Sequence, residues 1–398
     1  MDDALKLNRD TARELLNRFG SPLYVYDEEI LRTRCQQMRH LLQYSGFHPC
    51  YSAKANSNVE LLKIIHEEGF HADAMSPTEI ALDLEAGFLP EEITFYSNNI
   101  PQSEMLEAVR KNIHLCLDSL DQLDAYGEIA PHTAAAVRIN PGIGAGHNQK
   151  VITGGQTKFG ISLDELAEIH TIAEKHDLII EGLCMHVGSL FLEPTVYLKA
   201  SEILFHTAMQ FHDLKFLDLG GGFGVPYHGE ARLDLTAMGS QLDQLIQSFV
   251  QTYGRTIEIR TEPGRYVSAE CCQLLGTVTA RKHNGPVTYI GTDIGFNVLM
   301  RPVLYDSYHE IVGYSDSTKR EVSTVVGDIC ESGDILGNER NLPVLQRGDL
   351  IGVMNAGAYG YSMCSNYNGR LRPAEVLLSN GTVRLIRHRD TIESMLIQ

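Results

Sequence analysis

The sequence predicts an α/β protein in which a (β/α)8 barrel of the TIM type is joined to a second, mostly antiparallel β domain. Short apolar runs alternate with helix-spaced segments from about Phe47 to Gly264, and eight such runs occur, the strand number of that barrel. Polar and glycine-rich clusters fall repeatedly at the ends of these runs, where barrel strands meet their following loops. Beyond Ser268 the texture changes to Val-, Thr- and Ile-rich runs broken by Gly, Asp and Asn, the pattern of a β sandwich or β barrel.

The expected barrel strands are Pro49 to Ala53, His71 to Met75, Ile93 to Tyr96, His114 to Leu117, Ala135 to Ile139, Ile180 to Val187, Phe216 to Leu219 and Ile257 to Thr261. Between them, stretches such as Val59 to Ile65 and Leu163 to Ile169 place apolar residues at helical spacing. The second domain is expected to hold strands at Leu274 to Thr279, Val287 to Ile290, Val322 to Val326, Leu350 to Val353 and Val383 to Ile386. Pro22 to Tyr26 reads as a further strand that joins it before the barrel begins. The expected division is therefore 27–268 for the barrel and 1–26 with 269–398 for the β domain.

Composition excludes several classes of function. A chain of 398 residues with 43% hydrophobic content can build a large core, and usual domain sizes favour two domains. Lys and Arg total 33 against 51 Asp and Glu, and the net charge of -18 repels nucleic-acid phosphates and anionic lipid heads. Neither a nucleic acid nor a membrane is expected as a partner. Cys35, Cys50, Cys116, Cys184, Cys271, Cys272, Cys330 and Cys364 form no CxxC pair and show no zinc spacing. No metal and no disulfide framework are expected, which fits a reducing cytoplasm. The acidic start Met1-Asp2-Asp3-Ala4 lacks the apolar core of a signal peptide.

Several groups point to chemistry. Lys54, in Tyr51-Ser52-Ala53-Lys54-Ala55-Asn56, stands where a strand gives way to a helix. A partly desolvated amine there is nucleophilic enough to condense with an aldehyde, the chemistry of a pyridoxal phosphate Schiff base. Asp73 lies in the second strand and Arg138 in the fifth, and Asn98 and Asn99 follow the third. The run Gly220-Gly221-Gly222 lets backbone N–H groups approach an anion closely, and a tight structural turn accounts for it equally well. It matches neither dinucleotide nor Walker spacing. In Thr261-Glu262-Pro263-Gly264-Arg265, the carboxylate of Glu262 could keep a pyridine nitrogen protonated or simply pair with Arg265. His186 could lie flat on an aromatic ring, with Ser189 bonding a phosphate oxygen. Farther along, Cys330 beside Glu331 reads as a proton donor, and Tyr359 sits on a turn flanked by glycine.

The chain resembles the fold-type III pyridoxal phosphate decarboxylases. The matching motifs are Tyr51-x-x-Lys54-Ala55-Asn56, Lys158-Phe159-Gly160, His186-Val187-Gly188-Ser189, Gly220-Gly221-Gly222 and Glu262-Pro263-Gly264-Arg265. Arg301-Pro302-x-Leu304-Tyr305, Cys330-Glu331-Ser332 and Gly357-Ala358-Tyr359-Gly360 continue them in the family's order. The resemblance implies that Lys54 carries the cofactor, His186 stacks on its ring and Glu262 holds its pyridine nitrogen. Ser189, Gly222, Gly264, Arg265 and Tyr359 would surround the phosphate or the nearby substrate. Arg265, Arg301 and Tyr305 would contact the distal end of the substrate, and Glu331 its distal amine. Cys330 would serve the site of a partner subunit, giving a homodimer with shared sites.

Paired guanidiniums suit a substrate with a second carboxylate, so the expected reaction converts meso-2,6-diaminopimelate to L-lysine. Rivals are decarboxylation of D-ornithine, D-lysine or a polyamine or siderophore precursor, a racemase of similar architecture, and a non-catalytic relative that binds the cofactor. One departure concerns Thr78, which stands where the family commonly has glycine and is expected to reshape the loop near the cofactor.

Overall fold

The computed structural model describes residues 4–96 and 98–396. The start Met1-Asp2-Asp3 lies outside them. Two compact units are present: one comprises Arg34–Val225 with Ala231–Tyr266, the other the described residues through Thr33, Pro226–Glu230 and Val267 onward.

In the second unit β1 (Leu23–Asp27) precedes everything else in the sheet. The first unit holds β2 (Phe47–Ser52), β3 (His71–Ala74), β4 (Ile93–Tyr96), β5 (His114–Leu117), β6 (Ala134–Arg138), β7 (Ile179–Cys184), β8 (Phe216–Gly221) and β9 (Glu258–Glu262). Each pairs in parallel with the next, and β9 returns to β2 to close a barrel. The expected eight strands are thus present, β4 and β5 with the expected ends and the others with ends shifted by at most three residues.

Local chemistry sets the helices between them. Val59–Glu67 is capped by Asn58, whose side chain accepts from Glu60 N at 3.0 Å, and it buries Leu61, Leu62, Ile64 and Ile65. Pro77–Ala86 carries its proline in the first turn, where no backbone donor is missed, and stops at Gly87 with φ 107°. Thr78 is exposed in that first turn, behind the Ser76 cap. The loop it was expected to reshape is a regular helix start.

The barrel interior is filled rather than open. Tyr96, Cys116, Ala136, Cys184 and Phe216 pack together, each no more than 6% exposed. The sulfurs of Cys116 and Cys184 lie against each other in this layer. A separation of 68 residues gave no sequence signal; barrel closure, which points alternate strands into one layer, is what makes them neighbours. At the opposite end from the strand C-termini, His48, His71 and Glu258 bring possible ligand atoms within 4.8 Å of one another. A cation already occupies that corner: Arg260 Nε and Nη2 donate to the Glu258 carboxylate at 2.8 and 3.1 Å, with the guanidinium over Phe216. Burial and then Arg260 push the His71 pKa down to about 4.

In the second unit β10 (Cys272–Asn284), β11 (Val287–Thr292), β12 (Ile311–Tyr314), β13 (Arg320–Val326), β14 (Ile335–Pro343), β15 (Leu350–Val353), β16 (Ala374–Ser379) and β17 (Thr382–Arg387) complete a sheet with β1. It is mostly antiparallel, the β1–β16 and β11–β13 pairings being parallel. Three strands, β12, β14 and β16, were not anticipated. The strand read at Pro22 to Tyr26 is β1, inserted between β10 and β16 with Leu23 opposite Leu275 and Ala374. The helix Arg9–Phe19 was also missed; Asn8 caps it, and its Ala12, Leu15 and Leu16 join Leu23, Leu275 and Val376 in one core.

Gly182 on β7 tests how tightly the barrel is filled, because a Cβ there would stand 2.3 Å from the Phe216 ring. Gly182→Ala should cost about 1–3 kcal/mol through overpacking. A lowered midpoint of thermal unfolding checks this, and an unchanged midpoint would contradict the packing described.

Candidate active site

The C-terminal ends of the barrel strands gather most of the residues singled out from the sequence. Lys54 occupies a single 3-10 turn, Ala53–Ala55, directly after β2. The flanking alanines are buried while the lysine side chain keeps 33% exposure, so the amine stands at the rim and not in bulk water. Its Nζ lies 3.6 Å from Asp73 Oδ2 and 3.9 Å from Met75 Sδ. Asp73, on β3, is fully buried and also accepts from the Ser52 hydroxyl. Its Oδ1 is buried with no hydrogen-bond partner among the described residues, an acceptor left over in the site.

Glu262 ends β9 and is 5% exposed. Burial, reinforced by the charges of Asp218 and Asp73, raises its carboxyl well above the usual range, against the pull of Lys54 and Arg138. Asp218, on β8, accepts from the Tyr96 hydroxyl and, at 2.8 Å, from Gly220 N–H. Burial raises its carboxyl as well. Three buried carboxyl groups thus share one basin of charge, and Glu262 holds a proton that it can offer to a basic ring nitrogen.

His186 follows β7, and burial, then Lys54 and Arg138, hold its imidazole well below the ordinary value, so the ring is neutral at physiological pH. Arg265 Nη2 donates to Ser189 Oγ at 2.9 Å, fixing a hydroxyl and a guanidinium side by side. In the glycine run, Gly220 spends its N–H on Asp218, so it is not the anion donor expected of it. Gly222 has φ 104°, and a Cβ there would stand 2.3 Å from Gly188 O. A Cβ on Gly264 would meet Ala55 Cβ at 2.9 Å and Ser52 Cβ at 3.0 Å. Gly222 and Gly264 thus permit close loop packing, the structural reading of the run, next in sequence or space to the Ser189–Arg265 pair.

Arg138 is engaged elsewhere, its Nη1 3.6 Å from Asp118 and its guanidinium over Phe159. Asn98 bridges Asp118 and Lys158 at 2.6 Å each, while Asn99 is exposed. Sequence reasoning assigned no role to Ser52, Tyr96, Thr153 or Asp218. An acidic residue inside the apolar run Leu217-Asp218-Leu219 was a readable signal; the others carried none.

Within the β unit, Cys330 and Glu331 lie exposed on the β13–β14 connection. Asn368 Oδ1 accepts from Cys330 N at 3.0 Å, and Tyr367 donates its hydroxyl to Glu331 Oε1 at 2.7 Å while stacking on Phe296. Arg301 is 1% exposed, lying over Tyr227 with Nη1 2.7 Å from His309 Nε2. Tyr305 ends the same short helix, half-buried. Tyr359 adopts φ 56°, a left-handed backbone between Ala358 and Gly360.

Residues 28–269 match the family model described as "Pyridoxal-dependent decarboxylase, pyridoxal binding domain". The chain belongs to the pyridoxal-dependent decarboxylases. It is 37% identical to the diaminopimelate decarboxylase of Methanothermobacter thermautotrophicus, across 97% of this chain and 93% of that one. With the diaminopimelate decarboxylase of Escherichia coli K12 it shares 35% identity over 97% and 96%. Among solved structures, a diaminopimelate decarboxylase from Helicobacter pylori complexed with L-lysine superimposes with a TM-score of 0.90 at 30% identity, covering 96% of this chain and 98% of that one. The residues present suit the family's cofactor: an amine beside a carboxylate, a leftover buried acceptor, a proton-holding acid and a neutral imidazole.

The raised acid gives a pH prediction. Folded Glu262 keeps its proton above the pH at which the unfolded chain releases it, so the stability linked to that proton is present in acid and is lost as pH rises. In cofactor-free protein, Glu262→Gln should raise the unfolding midpoint near pH 8 and change nothing near pH 4. Equal effects at both pH values would show that Glu262 ionises normally.

Proposed function

We propose that this chain decarboxylates meso-2,6-diaminopimelate to L-lysine, the last step of lysine biosynthesis, with pyridoxal phosphate as cofactor. The near-full-length similarity to diaminopimelate decarboxylases carries the reading. Bound in the site, the cofactor supplies an electron sink for the pair left when CO2 departs. Lys54 would hold the cofactor through its amine, with Asp73 3.6 Å away as the neighbouring counter-charge. Glu262 would offer its proton to the cofactor's ring nitrogen, and His186, kept neutral, would lie beside the ring without adding a second cation. Ser189, Gly222, Gly264, Arg265 and Tyr359 surround the phosphate and the adjacent substrate.

Arg265, Arg301 and Tyr305 take the second carboxylate, and Glu331 reads the distal amine. Cys330 returns a proton from its thiol in the site of a second copy, so the working form is a homodimer in the cytoplasm. The exposure of Cys330 and Glu331 supports this, because their loop is held in one shape yet faces solvent. A second reading is favoured by the engagement of Arg301 with Tyr227 and His309: were its guanidinium to stay there, the substrate would be a diamino acid lacking that carboxylate. A lysine decarboxylase from Selenomonas ruminantium is a structural neighbour at TM-score 0.83 and 25% identity.

Purified protein should show an absorbance band near the visible edge that disappears in Lys54→Ala, and should release CO2 from meso-diaminopimelate faster than from lysine or ornithine; the reverse order would decide for the second reading. Glu331→Gln should lower kcat/KM for meso-diaminopimelate roughly ten- to hundredfold, the worth of one charge-assisted hydrogen bond. Mixing inactive Lys54→Ala and Cys330→Ala dimers under exchange should restore about a quarter of wild-type activity, since half of the random pairs carry one intact composite site. No recovery would mean that Cys330 serves the barrel of its own chain.

A further inference from the structure

The loop between β6 and β7 grips the end of β7 in a way the proposed chemistry leaves unexplained. Ile152 and Gly188 form an isolated antiparallel bridge. Ala145 N and Thr153 N both donate to Val187 O, at 2.9 and 3.4 Å. The grip brings Thr153 Oγ1 to 2.8 Å from His186 Nδ1 and 2.9 Å from His186 O. Gly188 N–H donates to the same Nδ1 at 3.1 Å.

An amide hydrogen cannot change sides. Nδ1 is therefore the acceptor, and the single proton of the neutral ring resides on Nε2; the one hydroxyl proton of Thr153, within reach of both Nδ1 and His186 O, is then turned to Nδ1, since that nitrogen has no hydrogen of its own to give. The direction of that amide is itself imposed by packing: Gly188 has φ 140°, and a Cβ would fall 1.9 Å from Ala145 O and 2.9 Å from Val151 O. No L side chain fits there, so the loop dictates where the N–H points.

We infer that Thr153 and the Gly188 amide fix His186 as its neutral Nε2–H tautomer and set the rotation of its ring. The inference rests on the proposed function, in which this imidazole lies against a protonated pyridine; a charged imidazole would set two cations face to face. Thr153 is a positioning residue, acting only through His186. The charged groups that bear on the ring are Lys54 from the turn after β2 and Arg138 from β6, and both act with burial to keep it neutral. Hydrogen bonds donated to Nδ1 add to this, because they stabilise only the neutral ring.

The test uses 15N-histidine-labelled protein, with pyridoxal phosphate bound and after its removal, the His186 signals being assigned by difference with His186→Gln. Expected in both forms is an unprotonated Nδ1 and a protonated Nε2. Thr153→Val, which keeps shape and loses the hydroxyl, should move the acid limb of the kcat/KM profile upward by about half to one pH unit. Thr153→Ser should restore the wild-type profile. A proton on Nδ1 in wild-type protein overturns the inference, as does a valine variant that loses activity equally at every pH. Protein that takes up no cofactor yet shows the Nε2–H ring upholds the tautomer assignment and sinks the decarboxylase reading, so the two failures are distinguishable.

Discussion

The active-site end of the barrel depends on an imbalance of charge: Asp73, Asp218 and Glu262 are all buried there, and Lys54, Arg138 and Arg260 only partly offset the cost of that burial to Asp218 and Glu262. Lys54 stands at the rim beside Asp73, and Arg138 is occupied with Asp118. Glu262 retains its proton chiefly because it is buried, and the charges of Asp218 and Asp73 add to this. The same field keeps the arrangement coherent. An amine is drawn toward Asp73, an acid is left able to protonate a heterocycle, and a cationic ligand atom is favoured over a neutral one.

The histidine obeys the same logic with neighbours of opposite sign. It sits among cations in low dielectric, which keeps it neutral, and it is held by donors to one nitrogen from Thr153 and Gly188. A group whose proposed task is to cover an electron-poor ring gains from carrying no charge. Burial is the main cause for both groups and leaves acid and imidazole alike uncharged, with Asp218 and Asp73 adding to it at Glu262 and Lys54 and Arg138 adding to it at His186.

Much of this was legible in one dimension. Alternation of apolar runs with helical spacing reads a parallel barrel because strands covered on both faces need no polar positions, and the eight runs from Pro49 to Thr261 coincide with β2 to β9. The motifs around Lys54, His186, Gly220 and Glu262 also lie at strand ends, where the barrel requires them. The antiparallel unit was harder to read. β14 was missed because its centre, Gly337-Asn338-Glu339-Arg340-Asn341, lacks an apolar alternation and is held in the sheet by its partner; β12 (Ile311-Val312-Gly313-Tyr314) and β16 (Ala374-Glu375-Val376-Leu377-Leu378-Ser379) are short apolar runs that did carry a strand signal. The Arg9–Phe19 helix is likewise stabilised by one packed face amid polar residues.

By itself, then, the sequence determined the class of fold, the residue types at the strand ends and the cofactor they suit, since periodicity and motif spacing are properties of the chain. Tertiary structure decided which of those residues meet. It spent Gly220 N–H on Asp218, buried Arg301 over Tyr227, left Cys330 and Glu331 facing solvent, and brought Cys116 against Cys184. It also made Thr153, a residue without any motif, the closest side-chain neighbour of His186 Nδ1 among the described hydrogen bonds. The physical reason is that barrel closure brings strands far apart in sequence within a few ångströms, and protonation, tautomer and exposure depend on neighbours in space.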